Sequence, residues 1–383
     1  MLSDPTPSTA LGEPMLPAHQ RIPADIHSLP DYERHAIRHV ERDAWNHLQS
    51  GADREVSLRR NREAFDALKL LPEPLADLSG AHTRTQLLGS EHLSPIMLAP
   101  VAYQRLVHPQ GELATVRAAM AMQTGMMVST LATHTMEDIA QAAQAARREL
   151  GRGASLYFQL YSQPLREDTL SLVRRAEDAG YEAVVWTVDA GIKRSRFTLP
   201  PGIDPVNLRG AASPPRQTSD LMSEHIVFGT PLATQAPDWD DLAWLRSQTA
   251  LPLIVKGILS PTAASRAVAM GADAIVVSNH GGRVLDGVVA PIEVLPAIRA
   301  VVPSHVPLIL DSGVRFGTDI VKALALGATT VLVGRPQLHA LAVAGMPGVA
   351  HMLHVLRAEL ELAMAQTGCA ILCDISKRLI YTN

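Results

Sequence analysis

The sequence is poor in cysteine, has no excess of one charge sign and contains no long apolar run. Its two cysteines, Cys369 and Cys373, sit near the carboxyl end without a second pair or a histidine pattern beside them. Neither a disulfide framework nor a zinc site is expected, and a reducing cytoplasm fits. Lysine plus arginine total 34 against 38 for aspartate plus glutamate, a net charge of −4. That balance supplies no basic field for nucleic acid or anionic lipid, so a small-molecule partner is expected. No stretch of about 18 apolar residues occurs, and the opening MLSDPTPSTALGEPMLPAHQ lacks a basic segment followed by an apolar one. No membrane span or signal peptide is expected, and the protein should be soluble.

What the 383 residues do contain is a repeated alternation. From Ser94 onward come eight apolar runs of strand length: Ile96 to Ala99, Met126 to Ser129, Leu156 to Leu160, Ala183 to Val188, Leu253 to Val255, Ala274 to Val277, Leu308 to Leu310 and Thr330 to Val333. Amphipathic stretches separate almost all of them, and a last helix is expected over Val349 to Gln366. Alternation of strand and helix favours a parallel sheet, and a count of eight favours closure. The expected fold is therefore α/β, a (β/α)8 TIM barrel in one domain, with an open doubly wound sheet as the alternative. Residues 1 to 30, with six prolines, read as a flexible tail and residues 31 to 383 as the domain. Helical spacing from Tyr32 to Ala44 predicts one helix ending near Ser50-Gly51, and a second is expected over Arg54 to Ala67, an amino-terminal helical extension to a barrel that starts at about residue 94. Between strands four and five, Pro200 to Pro237 is rich in Pro, Ser and Thr. A loop this long reads as a mobile lid.

The chemistry concentrates in Leu251 to Gly287. Lys256 closes the fifth run, and Ser278-Asn-His280-Gly-Gly-Arg283 follows the sixth. Parallel strands open their carboxyl ends on one side, so a cation, a titratable base and a carboxylate-binding fork share one rim. A lone buried histidine is more often a satisfied core residue, but His280 has company. Gly281 and Gly282 let the backbone approach a flat or anionic ligand without Cβ interference. DSGVRFGTD (Asp311 to Asp319) and VGRP (Val333 to Pro336) end strands seven and eight, where barrels commonly hold phosphate on glycine-rich backbone and a helix amino terminus.

SNHGGR-x-LD resembles the active-site signature of the FMN-dependent L-2-hydroxy acid oxidases and dehydrogenases, and the resemblance extends from about Tyr32 to about Ser376. It implies FMN as cofactor, a 2-hydroxy acid as substrate, oxygen or another electron acceptor, and a homo-oligomer, a tetramer. It implies that His280 accepts the hydroxyl proton while a hydride passes from Cα to flavin N5, with abstraction of the Cα proton as the competing description. Asp189, in WTVDAG, orients His280, and Tyr161 hydrogen-bonds the substrate. Arg283 clamps the carboxylate with a second arginine, Arg194 or alternatively Arg196. On the flavin side, Ala99, Pro100, Val101 and Ala102 lie against the ring, while Ser129, Gln159 and Thr187 bond its polar edge. Lys256 and Ser278 join them, the lysine beside N1 and the C2 carbonyl, with Asp311 on the ribityl hydroxyls. Gly313, Arg315, Gly334 and Arg335 hold the phosphate.

Four departures from the family pattern stand out. Ser312 occupies a usual glycine position, and DAGIKRSRFTLP is several residues short. His47 stands where short-chain oxidases have a tyrosine, and Leu131 where glycolate oxidase has a tryptophan. The smaller leucine argues for a longer or aromatic side chain on the acid. APVAYQRLVHPQGE, similar to oxidases acting on aryl hydroxy acids, points the same way. Two rival readings are an FMN barrel of the isomerase type and a catalytically silent flavin-binding relative.

Overall fold

The computed structural model describes residues 15–192, 197–211 and 227–381. Eight strands close into a parallel barrel: β1 (Ile96–Leu98), β2 (Gly125–Ser129), β3 (Leu156–Leu160), β4 (Ala183–Thr187), β5 (Leu253–Ile258), β6 (Ala274–Val277), β7 (Leu308–Leu310) and β8 (Thr330–Val333). Closure runs in chain order, with β8 pairing β1 through Val333 opposite Leu98. Each strand is apolar on both faces because one fills the barrel and the other packs on helices. Met97, Met127, Tyr157, Val185, Ile254, Val276, Ile309 and Leu332 form the interior cluster, and their immediate neighbours in sequence face outward into the larger core.

The outer layer consists of α4 (Gly111–Ala121), α5 (Met136–Leu150), α6 (Arg166–Asp178), α7 (Trp239–Gln248), α8 (Pro261–Ala269), α9 (Pro291–Val301), α10 (Gly317–Ala325) and α11 (Arg335–Gln366), preceded by α1 (Leu29–Ala36), α2 (Arg42–Gln49) and α3 (Val56–Ala67). Local chemistry sets their ends. Thr135 Oγ1 accepts from Asp138 N at 3.1 Å to start α5, and Gly151, at φ +61°, ends it. Ser260 caps α8, with Pro261 in its first turn. At Ala344 and Gly345 α11 leaves helical geometry, so the expected helix from Val349 is its second limb.

Several expectations are corrected. The single helix over Tyr32 to Ala44 is two, because residues 37–40 form a turn and the Glu41 carboxylate starts α2 afresh by accepting from Asp43 N and Ala44 N. Within the segment read as a tail, residues 15–30 are tied to the body: Leu16 N donates to Arg38 O at 2.9 Å and His19 N to Val343 O at 2.7 Å. A hairpin, Thr85–Leu87 with Ser90–His92, was not anticipated. It delivers Leu87 to the interior cluster and closes the amino-terminal end of the barrel. In the expected lid, the start is packed down, since Val206 N donates to Ala132 O and buried Asn207 accepts from Met136 N. Its stretch 212–226 lies outside the described residues.

Candidate active site

Alternation fixes the floor of the site. Residues two apart on a strand share a face, so the positions two beyond the interior cluster continue inward at the carboxyl ends: Ala99, Ser129, Gln159, Thr187, Lys256, Ser278, Asp311 and Gly334. Every strand contributes one. Register sets Ser129 opposite Gln159 and Thr187 opposite Lys256. Pro100, Val101 and Ala102 follow half-buried at the mouth.

This floor holds polar groups without protein partners. Gln159 Oε1 accepts from Ser129 Oγ at 3.2 Å and from Thr130 N at 3.3 Å, which fixes the amide orientation. Its Nε2 and the Thr187 hydroxyl are then buried without a hydrogen-bond partner among the described residues. Buried donors of this kind are costly unless a ligand satisfies them. Beside them, Lys256 Nζ is paired with Asp311 Oδ2 at 3.0 Å and donates to Ser278 Oγ at 3.0 Å. Burial alone would lower the ammonium, but Asp311 and Asp189 outweigh it and hold it above its ordinary value. A positive charge is thereby kept in the floor.

Above the floor stands His280, at φ +59° in a left-handed run completed by Gly281 and Gly282. Its Nδ1 meets Asp189 Oδ1 at 2.9 Å, and its Nε2 lies 3.4 Å from the Tyr161 hydroxyl. Burial would raise the Asp189 carboxyl, yet the His280 imidazole, by charge and hydrogen bond, and then Lys256 keep it below the usual carboxylate range. Burial and the Asp189 charge push the Tyr161 phenol up, so it remains a donor at working pH.

Sequence reasoning missed Gly257. At φ +106° it makes a bulge between Lys256 and Ile258, and a Cβ there would lie 2.6 Å from Asp189 Cγ. A glycine inside an apolar strand was the available signal. Asn61 and Asn279 were missed as a pair. They exchange amide hydrogen bonds of 3.0 and 2.7 Å, and Asn279 Oδ1 also takes Gly282 N, fastening the histidine loop to α3.

The arginines crowd one corner. Arg283 Nη1 donates to the carbonyls of His47, Leu48 and Ser50 at the carboxyl end of α2, leaving the Nη2 side without a protein acceptor among the described residues. Arg335 donates to Leu48 O, Ser50 O and Gly281 O, and Arg315 to Val314 O. Neither Arg315 nor Arg335 makes an ion pair among the described residues. Burial, then the neighbouring Arg283 and Arg315, push Arg335 down to about 9. Cations packed without an ion-pair partner among the described residues suit an anion, which the resemblance supplies as phosphate. Gly313, at φ +104°, lets this corner meet α3, because a Cβ would lie 2.4 Å from Asn61 O. His47 stacks on Phe197, ring centroids 4.2 Å apart, and half-buried Leu131 accepts from Tyr103 N at 3.1 Å. Arg194 and Arg196 lie outside the described residues.

Because the Asp189 carboxyl is held low, its stabilising share of the ion pair is complete above the unfolded value near about 3.9 and is lost only as pH falls below that. The acid limb of the pH profile therefore belongs to the imidazole, which takes the reacting proton, and not to Asp189. Asp189→Asn is expected to lower kcat/KM about a hundredfold and move that limb to lower pH, since the imidazolium loses its counter-charge. A pH profile with an unmoved limb would separate Asp189 from the base.

Orphan donors facing inward and cations without an ion-pair partner among the described residues fit a planar, phosphorylated cofactor, and the imidazole–carboxylate pair above them makes this a flavin-type oxidoreductase barrel. Comparison with known proteins gives the family. The sequence model for FMN-dependent dehydrogenases matches residues 36–382, and the chain belongs to that family. It is 46% identical to an L-lactate oxidase of Alicycliphilus denitrificans, over 93% of this chain and 96% of the relative. Identity is 41% to 2-hydroxyacid oxidase 1 of Mus musculus, over 93% and 96%. A solved structure of mandelate oxidase with (S)-2-phenylpropionate matches with a TM-score of 0.81 at 38% identity, covering 94% of this chain and 98% of that one.

Proposed function

We propose that this FMN-dependent enzyme oxidises an L-2-hydroxy acid with an aryl or longer side chain to the 2-oxo acid. The observation that carries the reading is the His280–Asp189 pair at 2.9 Å, with Tyr161 on the other imidazole nitrogen and Arg283 next to it in the same loop. Bound FMN supplies the acceptor for the two electrons that leave the substrate Cα. Gln159, Thr187, Lys256 and Ser278 would hold its ring, Asp311 its ribityl chain, and Arg315, Arg335 and Gly334 its phosphate.

His280 Nε2 takes the hydroxyl proton. Asp189 stays ionised and fixes the ring through Nδ1, so the imidazolium forms beside a buried negative charge. The outer edge of the Arg283 guanidinium binds the substrate carboxylate, its inner nitrogen being occupied by α2. Tyr161 donates from its raised phenol. These roles orient the acid so that its α-hydrogen faces the cofactor.

Leu131 supports the larger substrate because it leaves the space of a tryptophan open. Leu131→Trp is expected to lower kcat/KM for an aryl acid about tenfold or more, with glycolate little affected. Equal loss for both would remove Leu131 from specificity. The direct test of function is anaerobic mixing with glycolate, lactate, mandelate, 4-hydroxymandelate and a long-chain 2-hydroxy acid while flavin absorbance is followed. Bleaching fastest with an aryl or long-chain acid supports the reading, bleaching only with lactate or glycolate overturns the substrate class, and no bleaching overturns the activity. Oxygen is the proposed acceptor and a tetramer the assembly, by family resemblance, and the cytoplasm is the proposed location, from the scarcity of cysteine. Peroxide formed on admitting air and the sedimentation mass test the first two.

A further inference from the structure

Hydrogen bonds in the floor close into a ring. His280 N donates to Ser278 Oγ at 3.0 Å, and the same oxygen accepts from Lys256 Nζ at 3.0 Å. Lys256 Nζ pairs with Asp311 Oδ2 at 3.0 Å, and the other carboxylate oxygen, Oδ1, accepts from Ser312 Oγ at 2.7 Å. Ser312 Oγ in turn accepts from Gly281 N at 2.9 Å. The circuit ends one residue from where it began. Two consecutive amides of the base loop are thus tied, by opposite routes, to one buried ion pair.

Ser312 is the unexpected member. It is buried at φ +72°, a conformation that glycine adopts freely and an L-residue with a Cβ does not, and the family resemblance leads to glycine there. A strained serine whose hydroxyl makes two hydrogen bonds is held for that hydroxyl.

We infer that Ser312 is a positioning residue that bridges the base loop to the Lys256–Asp311 pair, so that the placement of His280 and the charge in the cofactor floor are set together. The inference rests on His280 as the base. Removing the hydroxyl frees Gly281 N and leaves Asp311 Oδ1 without its donor, so the carboxylate bears more fully on Lys256 and weakens its field.

Ser312→Ala keeps the backbone strain, whereas Ser312→Gly relieves it. Both are expected to reduce the flavin about tenfold more slowly at saturating substrate, the order of one lost hydrogen bond at a positioned site, with KM little changed. Both should also lower the flavin midpoint potential and speed amide exchange in the 278–283 loop. Their melting temperatures should diverge, the glycine variant being the more stable. A purely structural serine would give the reverse, with Ser312→Gly reducing the flavin at the wild-type rate and potential, and that result overturns the inference. Wild-type loop exchange in both variants overturns it as well. The base reading fails separately, if His280→Gln reduces the flavin at the wild-type rate while the Ser312 variants still shift the potential.

Discussion

Replacing His280 by glutamine is expected to slow anaerobic flavin bleaching about a thousandfold while leaving the protein folded and yellow. The loss follows from proton transfer. General-base catalysis contributes on the order of a hundred- to ten-thousandfold, and glutamine has no nitrogen that accepts a proton near neutral pH. The fold should survive because the loop is held by its backbone: Ser278 Oγ and Ser312 Oγ take the amides of residues 280 and 281, and Asn279 takes Gly282 N. FMN content, read from the absorbance ratio, should stay at the wild-type value, since the orphan donors of Gln159 and Thr187 lie in the floor below. Substrate binding should also persist through Arg283. A glutamine variant that bleaches within a few-fold of the wild-type rate would take His280 out of the chemistry.

Much of this site was legible because strand periodicity is local. Once Ile254 and Val276, each next to last in its run, are placed inside the barrel, alternation turns Lys256 and Ser278 inward, and the same rule reaches Asp311 from Ile309. The barrel followed from the same counting, since eight apolar runs separated by helical stretches leave closure as the simplest way to bury both faces of each strand. What stayed hidden depends on contacts far apart in sequence. Gly257 could be read as a bulge signal, but only the folded chain shows Asp189 Cγ 2.6 Å from where its Cβ would lie. In the sequence Ser312 is only a departure from a usual glycine, and its two hydrogen bonds become visible once strands six and seven are adjacent. The Leu87 hairpin escaped because two strands of three residues leave no periodic signal. The break between α1 and α2 is a capping event at Glu41, and acidic residues also occur freely along helical faces.

Arg283→Lys is expected to lower kcat/KM a hundredfold or more, mostly through KM for the 2-hydroxy acid. An ammonium can replace the inner guanidinium nitrogen, because its donors can still reach the carbonyls of His47, Leu48 and Ser50. Nothing then remains to face the substrate. The arginine spans two jobs with one planar group, seating Nη1 on the carboxyl end of α2 and presenting its other edge outward, and a point charge on a flexible stem cannot do both. Its burial sharpens the effect, since desolvation already pulls the Arg283 guanidinium below its ordinary value and a buried lysine gives up its proton more readily still. Small substrates should suffer as much as large ones, because both carry the same carboxylate, in contrast to the size-dependent loss expected for Leu131→Trp. Titration with oxalate, a dicarboxylate that cannot be oxidised at Cα, isolates the binding component. If Arg283→Lys binds oxalate as tightly as the wild type, the carboxylate is held elsewhere, and the second arginine, Arg194 or Arg196, carries the clamp alone.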